Sequence, residues 1–159
     1  MLKIIGSVIV ILSATLFGMG KYNALFKRKK TLAEILDGAR KTYSKLSSFH
    51  APLHEAFDDG GEFFESASKK IINGQLPEEA VKETACDLQC LTGEDAEIIE
   101  RFASGLSATS CEGQISNLAV FITGIEKQLE KSENELGSKG KLFVKGSMLV
   151  AAAIVLLMV

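Results

Sequence analysis

The side chains best suited to metal binding form two pairs in this sequence, each with four-residue spacing. His50 and His54 make one pair, and Cys86 and Cys90 make the other. Side chains four apart share one face of a helix, and two imidazoles with two thiolates are a common zinc ligand set. Pro52 lies between the histidines, so His50 is expected to precede the helix that carries His54. The alternative is that the thiols are packed in the interior and the imidazoles are partly exposed.

The sequence carries none of the short motifs that mark a catalytic centre or a nucleotide site. It has no phosphate-binding loop, nucleophile elbow, zinc-protease motif or dinucleotide fingerprint. Adjacent carboxylates occur at Asp58-Asp59 and Glu78-Glu79, at a turn and at a helix start, where a negative charge suits the helix dipole. We therefore expect no catalytic residues, no cofactor and a non-enzymatic role.

Apolar residues are concentrated at the two ends of the 159-residue chain, which explains a mean hydropathy of +0.19 beside 24% charged residues. Ile4–Gly20 and Gly146–Val159 contain no charged residue. Their lengths approach the thickness of the hydrocarbon core, so we predict transmembrane helices at residues 1–20 and 142–159. Residues 21–141 then form a cytoplasmic domain. A secretory signal peptide is the alternative for the first segment, although no clear cleavage site follows it.

Basic residues flank the inner ends of both apolar segments, and only Lys3 lies on the other side. The positive-inside rule therefore places the central domain in the cytoplasm and both termini across the membrane. The same residues should attract anionic lipid headgroups. The flanking residues are Lys21, Lys27, Arg28, Lys29, Lys30, Lys139, Lys141 and Lys145.

Apolar residues in the central domain recur at helical spacing, and the chain has only two prolines. These patterns predict an all-α fold, a helical-bundle cytoplasmic domain between N-terminal and C-terminal transmembrane helices. Thr31 with Glu34 has the form of a capping box, so a helix is expected to begin there and to end before Pro52. The later helices are expected at Leu53–Phe57, at Phe63–Ile71 closed by Asn73-Gly74, from Pro77 to a stop at Thr92-Gly93, and at Glu94–Leu106.

The last helix of the domain carries a heptad-like apolar seam with one polar position, Ser132. Because the shorter amphipathic helices also need covering, we expect this seam to belong to the domain's own core, with partner binding as the alternative. Gly137–Gly140 should either bend the helix or lie within one continuous helix that enters the membrane. The seam consists of Ile115, Leu118, Ile122, Ile125, Leu129, Ser132 and Leu136.

Charge is segregated along the domain. Lys21–Ser48 has 8 basic and 2 acidic residues, whereas Ala51–Glu100 has 3 basic and 13 acidic, a net charge of −10. An anionic bilayer repels the acidic part, so we expect it to face the cytoplasm, either solvated or docked on a basic protein surface. Nucleic acid is not expected as a partner, because phosphate is repelled as well. The acidic residues proposed to contact a partner are Glu78, Glu79, Glu83 and Asp87.

Several short segments, taken in order, resemble the stage III sporulation protein AB family over essentially the whole chain. Met1–Gly6, followed by Ala14-Thr15 and Gly18, is similar to the family's opening, and Ala51-Pro52-Leu53 is similar to its Thr-Pro-Leu segment. Ala103 and Ser107 stand where the family pattern has glycine. The other similar positions are Phe102, Leu106, Gln114, Leu129-Glu130, Gly146 and the Ile154–Met158 run.

This resemblance implies a protein of an endospore-forming cell, in the mother-cell membrane that faces the forespore. It implies a helical cytoplasmic domain similar to the platform protein of type II secretion and type IV pilus systems. The expected role is a non-enzymatic platform in the channel complex between mother cell and forespore. Its expected partners are membrane lipid, a secretion-type ATPase and other stage III sporulation channel proteins, with self-association left open. A membrane-anchored metal- or thiol-dependent sensor is the alternative function.

Overall fold

A computed structural model of the protein describes residues 2–49, 52–106 and 110–158. Within these ranges, the described side chains exclude those of residues 2–11, 49, 111, 141, 144, 148, 151 and 155–158. Every regular element in the described ranges is helical, which confirms the all-α prediction. The helices are α1 (Leu2–Phe49), α2 (Leu53–Asp58), α3 (Gly61–Ile72), α4 (Pro77–Cys86), α5 (Gly93–Ser104), α6 (Cys111–Glu135), a π-helical turn (Leu136–Gly140) and α7 (Lys141–Met158).

Residue contacts divide the chain into two compact units. The terminal unit comprises Met1–Lys29 and Lys131–Val159, and the central unit comprises Lys30–Glu130. Among the described residues, no helix has both the length and the apolar character that crossing a membrane requires. Each unit has its own internal contacts and its own candidate surfaces.

The core of the central unit is built from apolar stripes at helical spacing. Phe64 is fully buried and lies edge-on to Phe57 and Phe63, with ring centroids 5.1 Å apart in both pairs. Phe102 stacks on Phe121 with centroids 4.3 Å apart. Burial of each such side chain stabilises the fold by about 1.5–3 kcal/mol. α1 contributes an apolar stripe at helical spacing, of which Tyr43 is partly buried and the others are buried: Leu32, Ile35, Leu36, Ala39, Tyr43 and Leu46.

The apolar seam of α6 belongs to the same core. Leu118 and Ile125 are buried, and Ile115, Ile122 and Leu129 pack against the core while partly buried. This confirms that the central part of the seam is internal. This part of the seam is therefore covered within the central unit.

The turn between α2 and α3 approaches α1 so closely that no side chain fits at Gly38. A Cβ atom on Gly38 would overlap the carbonyl group of Gly60 and come within 2.8 Å of the Phe64 ring. Lys45 pairs with Asp59 in the same turn. Gly38 thus allows the short α2 and the start of α3 to pack directly on the backbone of α1.

The helix start expected at Thr31 is wrong. α1 runs through Thr31 as one continuous helix, so the capping box with Glu34 does not form. Glu34 instead lies 3.6 Å from Lys30 in an i, i+4 ion pair. Lys27–Lys30 contain no helix-breaking residue, and lysine and arginine are good helix formers, so nothing in the sequence ends the preceding helix.

The stop expected for α4 at Thr92-Gly93 is also wrong, because α4 ends at Cys86. Beyond it the backbone makes tight turns, in which the Leu88 amide donates to the Ala85 carbonyl and the Leu91 amide to the Leu88 carbonyl. Leu88 and Leu91 still pack against the core. The connection therefore buries apolar side chains without being helical, and this produced the misleading pattern.

Several other local signals are confirmed. α3 ends at Ile72 with Asn73 as its C-cap residue, and Gly74 follows with φ +94°. Pro77 occupies the first turn of α4. The structure adds a capping box before α5: the hydroxyl of the N-cap residue Thr92 accepts from the Asp95 amide, and the Asp95 carboxylate accepts from the Thr92 amide at 2.9 Å. At Gly137–Gly140, where the sequence left open a bend or a continuous helix, a π-helical turn keeps the chain helical from α6 to α7.

Candidate docking surface

The acidic residues of α4 are partly neutralised within the protein. Glu78 lies 2.8 Å from Lys82 and accepts a hydrogen bond from the Ser104 hydroxyl at 3.2 Å. Lys82 also lies 3.8 Å from Glu100. The hydrogen bond with Lys82 lowers the pKa of Glu78 and raises the pKa of Lys82. Glu78 therefore links α4 to α5 and is not simply a free surface charge.

A second cluster joins α3 to α4. Lys70 on α3 lies 3.2 Å from Glu83 and 3.6 Å from Asp87. The Gln75 side chain donates to Glu83 at 2.8 Å. The hydrogen bond from Gln75, and then the adjacent Lys70 ammonium, lower the pKa of Glu83. Glu83 and Asp87 thus serve the packing of α3 on α4 as well as the acidity of the surface.

Glu79 differs from the other three acids proposed for docking. It is exposed in the first turn of α4 and has no ion pair among the described residues. Lys70 and Lys82 each lie between two carboxylates, so both clusters keep a net negative charge. The surface of α4 therefore remains acidic after internal pairing, with Glu79 as its most available carboxylate.

Two exposed aliphatic side chains adjoin this acidic surface in the chain. Ile72 ends α3 and is 62% exposed, and Leu76 precedes α4 and is 59% exposed. The sequence interpretation missed both. Two signals were available in the sequence. One face of a helix can bury only one residue of the adjacent pair Ile71-Ile72. The leucine directly before Pro77 stands at a helix start, where polar residues are usual.

The basic residues expected to flank the membrane fall into two groups. Arg28 is buried with its guanidinium 2.9 Å from Glu135, and Lys29 lies 3.0 Å from Glu133. Lys139 lies 2.9 Å from Glu135, and Lys30 pairs with Glu34. By contrast Lys21, Lys27 and Lys145 are exposed and have no ion pair in the described part of the chain; the side chain of Lys141 lies outside the described residues.

The terminal unit carries a separate apolar surface. A groove of about 590 Å³ lies between α1 and α7, and Ala14, Phe17 and Phe143 help to line it. A Cβ atom on Gly18 would collide with the Ser147 hydroxyl, so α1 and α7 approach closely at this point. The exposed large apolar side chains of this unit include Leu12, Leu16, Phe17, Met19, Phe26, Leu142, Phe143, Leu149, Val150 and Ile154.

The residues proposed for zinc binding are not brought together where they are described. Cys86 is exposed at the end of α4, and Cys90 lies beyond that helix with its thiol donating to the Thr31 hydroxyl at 3.3 Å. His54 is half-buried on α2, and His50 lies outside the described residues. Across the described part of the chain, no three His, Cys, Asp or Glu side chains are placed to hold a metal ion. The structure gives the sensor hypothesis no support.

In the described ranges the protein consists of helices, with a central unit that has its own apolar core and an acidic surface on α4. A sequence model of the stage III sporulation protein AB family matches residues 3–159. The chain therefore belongs to the stage III sporulation protein AB family, as its resemblance indicated, and its role lies in sporulation.

A solved structure supports the same assignment at the level of the fold. It is described as stage III sporulation protein AB and matches with a TM-score of 0.60 at 15% sequence identity. The match covers 69% of this chain and 96% of that one. No curated protein matches the sequence of this chain.

Proposed function

We propose that this protein is a non-enzymatic membrane platform component of the channel complex between mother cell and forespore, and that it docks a secretion-type ATPase. Membership of the stage III sporulation protein AB family supports the sporulation context. The docking role rests on the acidic surface of α4, which keeps a net negative charge after its internal ion pairs have formed. The apolar core and the α6 seam, by contrast, are packed within the central unit.

The proposal includes two membrane spans, at residues 1–20 and 142–159, with residues 21–141 in the mother-cell cytoplasm. The exposed apolar side chains of the terminal unit support this, because such a large apolar surface is unfavourable in water. Lys21 and Lys145 flank these surfaces, and lysines in such positions can extend their charged ends to the lipid headgroups. Lys21 also lies over the Phe17 ring, 5.8 Å from its centroid.

Electrostatics favours a protein as the ligand of the α4 surface. The segment Ala51–Glu100 has a net charge of −10, from 3 basic and 13 acidic residues. An anionic bilayer and nucleic acid are both repelled by such a surface, whereas a basic protein surface is attracted. The expected consequence is an association rate that falls as salt is added.

The direct test is binding of the full chain, purified in nanodiscs, to the purified secretion-type ATPase of the sporulation channel. We expect binding at about 0.15 M salt that weakens at about 1 M. At about 0.15 M salt, Glu79→Lys should bind the ATPase more weakly than the unmodified chain. This substitution reverses the charge of the available carboxylate without removing an internal ion pair. Glu130→Lys is the matched control, since Glu130 is also exposed on a helix of the central unit.

Two results would argue against the proposal. Absence of binding by the unmodified chain would remove ATPase docking, and equal loss in Glu79→Lys and Glu130→Lys would remove α4 as the docking surface.

The membrane component is tested separately, by extraction of membranes from sporulating cells with carbonate. A protein with two spans stays in the pellet, and release into the supernatant would contradict the spans.

A further inference from the structure

The connection between α3 and α4 exposes apolar side chains at a helix end and a helix start, where polar side chains are usual. Leu76 is the N-cap residue of α4, with φ −64° and ψ 140°, and its side chain makes no capping hydrogen bond. Serine, threonine, aspartate and asparagine stabilise a helix at this position, and leucine does not. Since Leu76 is also 59% exposed, neither capping nor core packing accounts for its presence.

The backbone of this connection is held in a fixed shape. The Gly74 amide donates to the Ile71 carbonyl at 2.9 Å, and the Gln75 amide donates to the Lys70 carbonyl at 3.1 Å. Together with φ +94° at Gly74, these bonds form a Schellman motif at the end of α3. Ile72 and Leu76 are therefore presented from a preorganised turn, and binding through them requires little ordering of the backbone.

The surroundings of the two aliphatic residues are acidic. Glu79 lies in the first turn of α4, exposed and without an ion pair among the described residues. Glu83 is also exposed and shares Lys70 with Asp87, so that cluster is negative overall. A small apolar centre with a charged rim is the usual anatomy of a protein interface.

We propose that Ile72 and Leu76 form the apolar anchor of a docking site for a basic protein segment, one that presents an apolar side chain next to lysine or arginine. The inference rests on the proposed docking function and names the partner chemistry that this function requires. A second copy of the chain fits poorly, because a symmetric contact would bring the same acidic rims together. An anionic lipid surface is repelled for the same reason.

The test replaces each anchor residue by serine in the full chain and measures binding to the purified secretion-type ATPase. We expect Leu76→Ser and Ile72→Ser each to weaken binding by about tenfold or more, because an apolar contact is lost from the centre of the interface. Val120→Ser is the matched control, since Val120 is 64% exposed on α6 of the same unit. The control should bind like the unmodified chain.

Thermal unfolding separates docking from stability. Leu76→Ser should unfold at the same or a higher temperature than the unmodified chain, because serine is a better N-cap residue. Weaker binding by a variant that is at least as stable supports the anchor. Unchanged binding by Leu76→Ser, or an equal loss in Val120→Ser, would overturn it.

Photo-crosslinking in sporulating cells distinguishes failure of the anchor from failure of ATPase docking. A photoreactive residue is placed at position 76, with position 120 as the control. A crosslink from position 76 to a lysine- or arginine-rich peptide of a channel protein other than the ATPase supports the anchor and contradicts the proposed partner. A crosslink to a second copy or to lipid, or no crosslink above the control, overturns the anchor.

Discussion

The guanidinium of Arg28 on α1 lies 2.9 Å from the carboxylate of Glu135 at the end of α6, within the terminal unit. The Arg28 side chain is only 5% exposed and that of Glu135 is 22% exposed. Glu135 also binds Lys139 at 2.9 Å, at the start of the helical path through the π-helical turn. This pair joins α1 to the end of α6, and its burial distinguishes Arg28 from the other basic residues near the apolar segments.

Loss of this pair should destabilise the terminal unit. Arg28→Met removes one partner and leaves the Glu135 carboxylate partly buried, with Lys139 as its remaining close ion pair. Removal of one member of a buried pair costs about 3–5 kcal/mol, and the remaining Lys139 should reduce this to roughly 1–3 kcal/mol. Thermal unfolding of the full chain in detergent measures the change. Lys29→Met is the control, because the Lys29–Glu133 pair is largely exposed and worth at most about 1 kcal/mol.

Equal shifts in the two variants would show that Arg28 stabilises the protein only as a surface charge. A larger shift for Arg28→Met would show that burial makes the difference. The comparison is direct because both substitutions remove one positive charge and add the same side chain.

Acid should destabilise the protein through its hydrogen-bonded carboxylates. The pKa of Glu83 is lowered below the ordinary value of 4.5, mainly by the hydrogen bond from Gln75. The pKa of Glu135 is lowered in the same way, mainly by the hydrogen bond from Lys139. A group with a lowered pKa in the folded state stabilises that state above its unfolded pKa, and this contribution is lost as the pH falls through the folded pKa. The melting temperature should therefore be level near neutral pH and fall below about pH 4.5.

The variant Glu83→Gln tests the origin of the acid dependence. It should be less stable than the unmodified chain near neutral pH, and the difference should shrink as the pH falls, because glutamine does not titrate. A difference that stays constant across the acid range would contradict a role for the Glu83 charge. Glu130→Gln, at another exposed acid of the central unit, is the control and should leave the profile unchanged.

Close packing at Gly38 should make this position intolerant of any side chain. Gly38→Ala introduces a Cβ atom that overlaps the Gly60 carbonyl, so α1 and the α2–α3 turn must separate. We expect a loss of about 1–3 kcal/mol, typical of an overpacked core. Gly93→Ala is the control, since no atom lies within 4 Å of a Cβ atom at this helical position. Chemical denaturation of the full chain measures both, and similar stabilities would contradict the close approach.

The comparison of Thr31 with Thr92 shows how far sequence patterns reach. Both threonines precede an acidic residue three positions later, yet only Thr92 forms a capping box. Thr92 follows a connection that has left the helical conformation, whereas Thr31 follows a segment with nothing to end the helix. A capping pattern therefore predicts a helix start only where the chain before it is not helical, and that is decided by tertiary packing.

The same limit applies to the candidate docking surface. The acidic character of α4 follows from composition alone, and Glu79 was named on that basis. The partners of Glu78, Glu83 and Asp87 could not be predicted, because Lys70, Lys82 and Ser104 reach them only after α3, α4 and α5 have packed together. The exposure of Leu76 likewise follows from the Schellman turn and the exact start of α4.

Anionic lipid should act through the unpaired lysines of the terminal unit, if the two proposed spans are present. Lys21 and Lys27 are exposed and have no ion pair among the described residues, whereas Lys29 and Lys30 pair with Glu133 and Glu34. Each basic residue near an anionic surface contributes about 1 kcal/mol of attraction, and pairing with a carboxylate offsets it. Phosphatidylglycerol added to phosphatidylcholine nanodiscs should therefore raise the melting temperature of the full chain. The double variant Lys21→Gln/Lys27→Gln should lose most of this increase in melting temperature. The double variant Lys29→Gln/Lys30→Gln should keep it, although both double variants remove two positive charges. Equal losses in the two double variants would mean that only the total charge of the basic segment matters to the lipid.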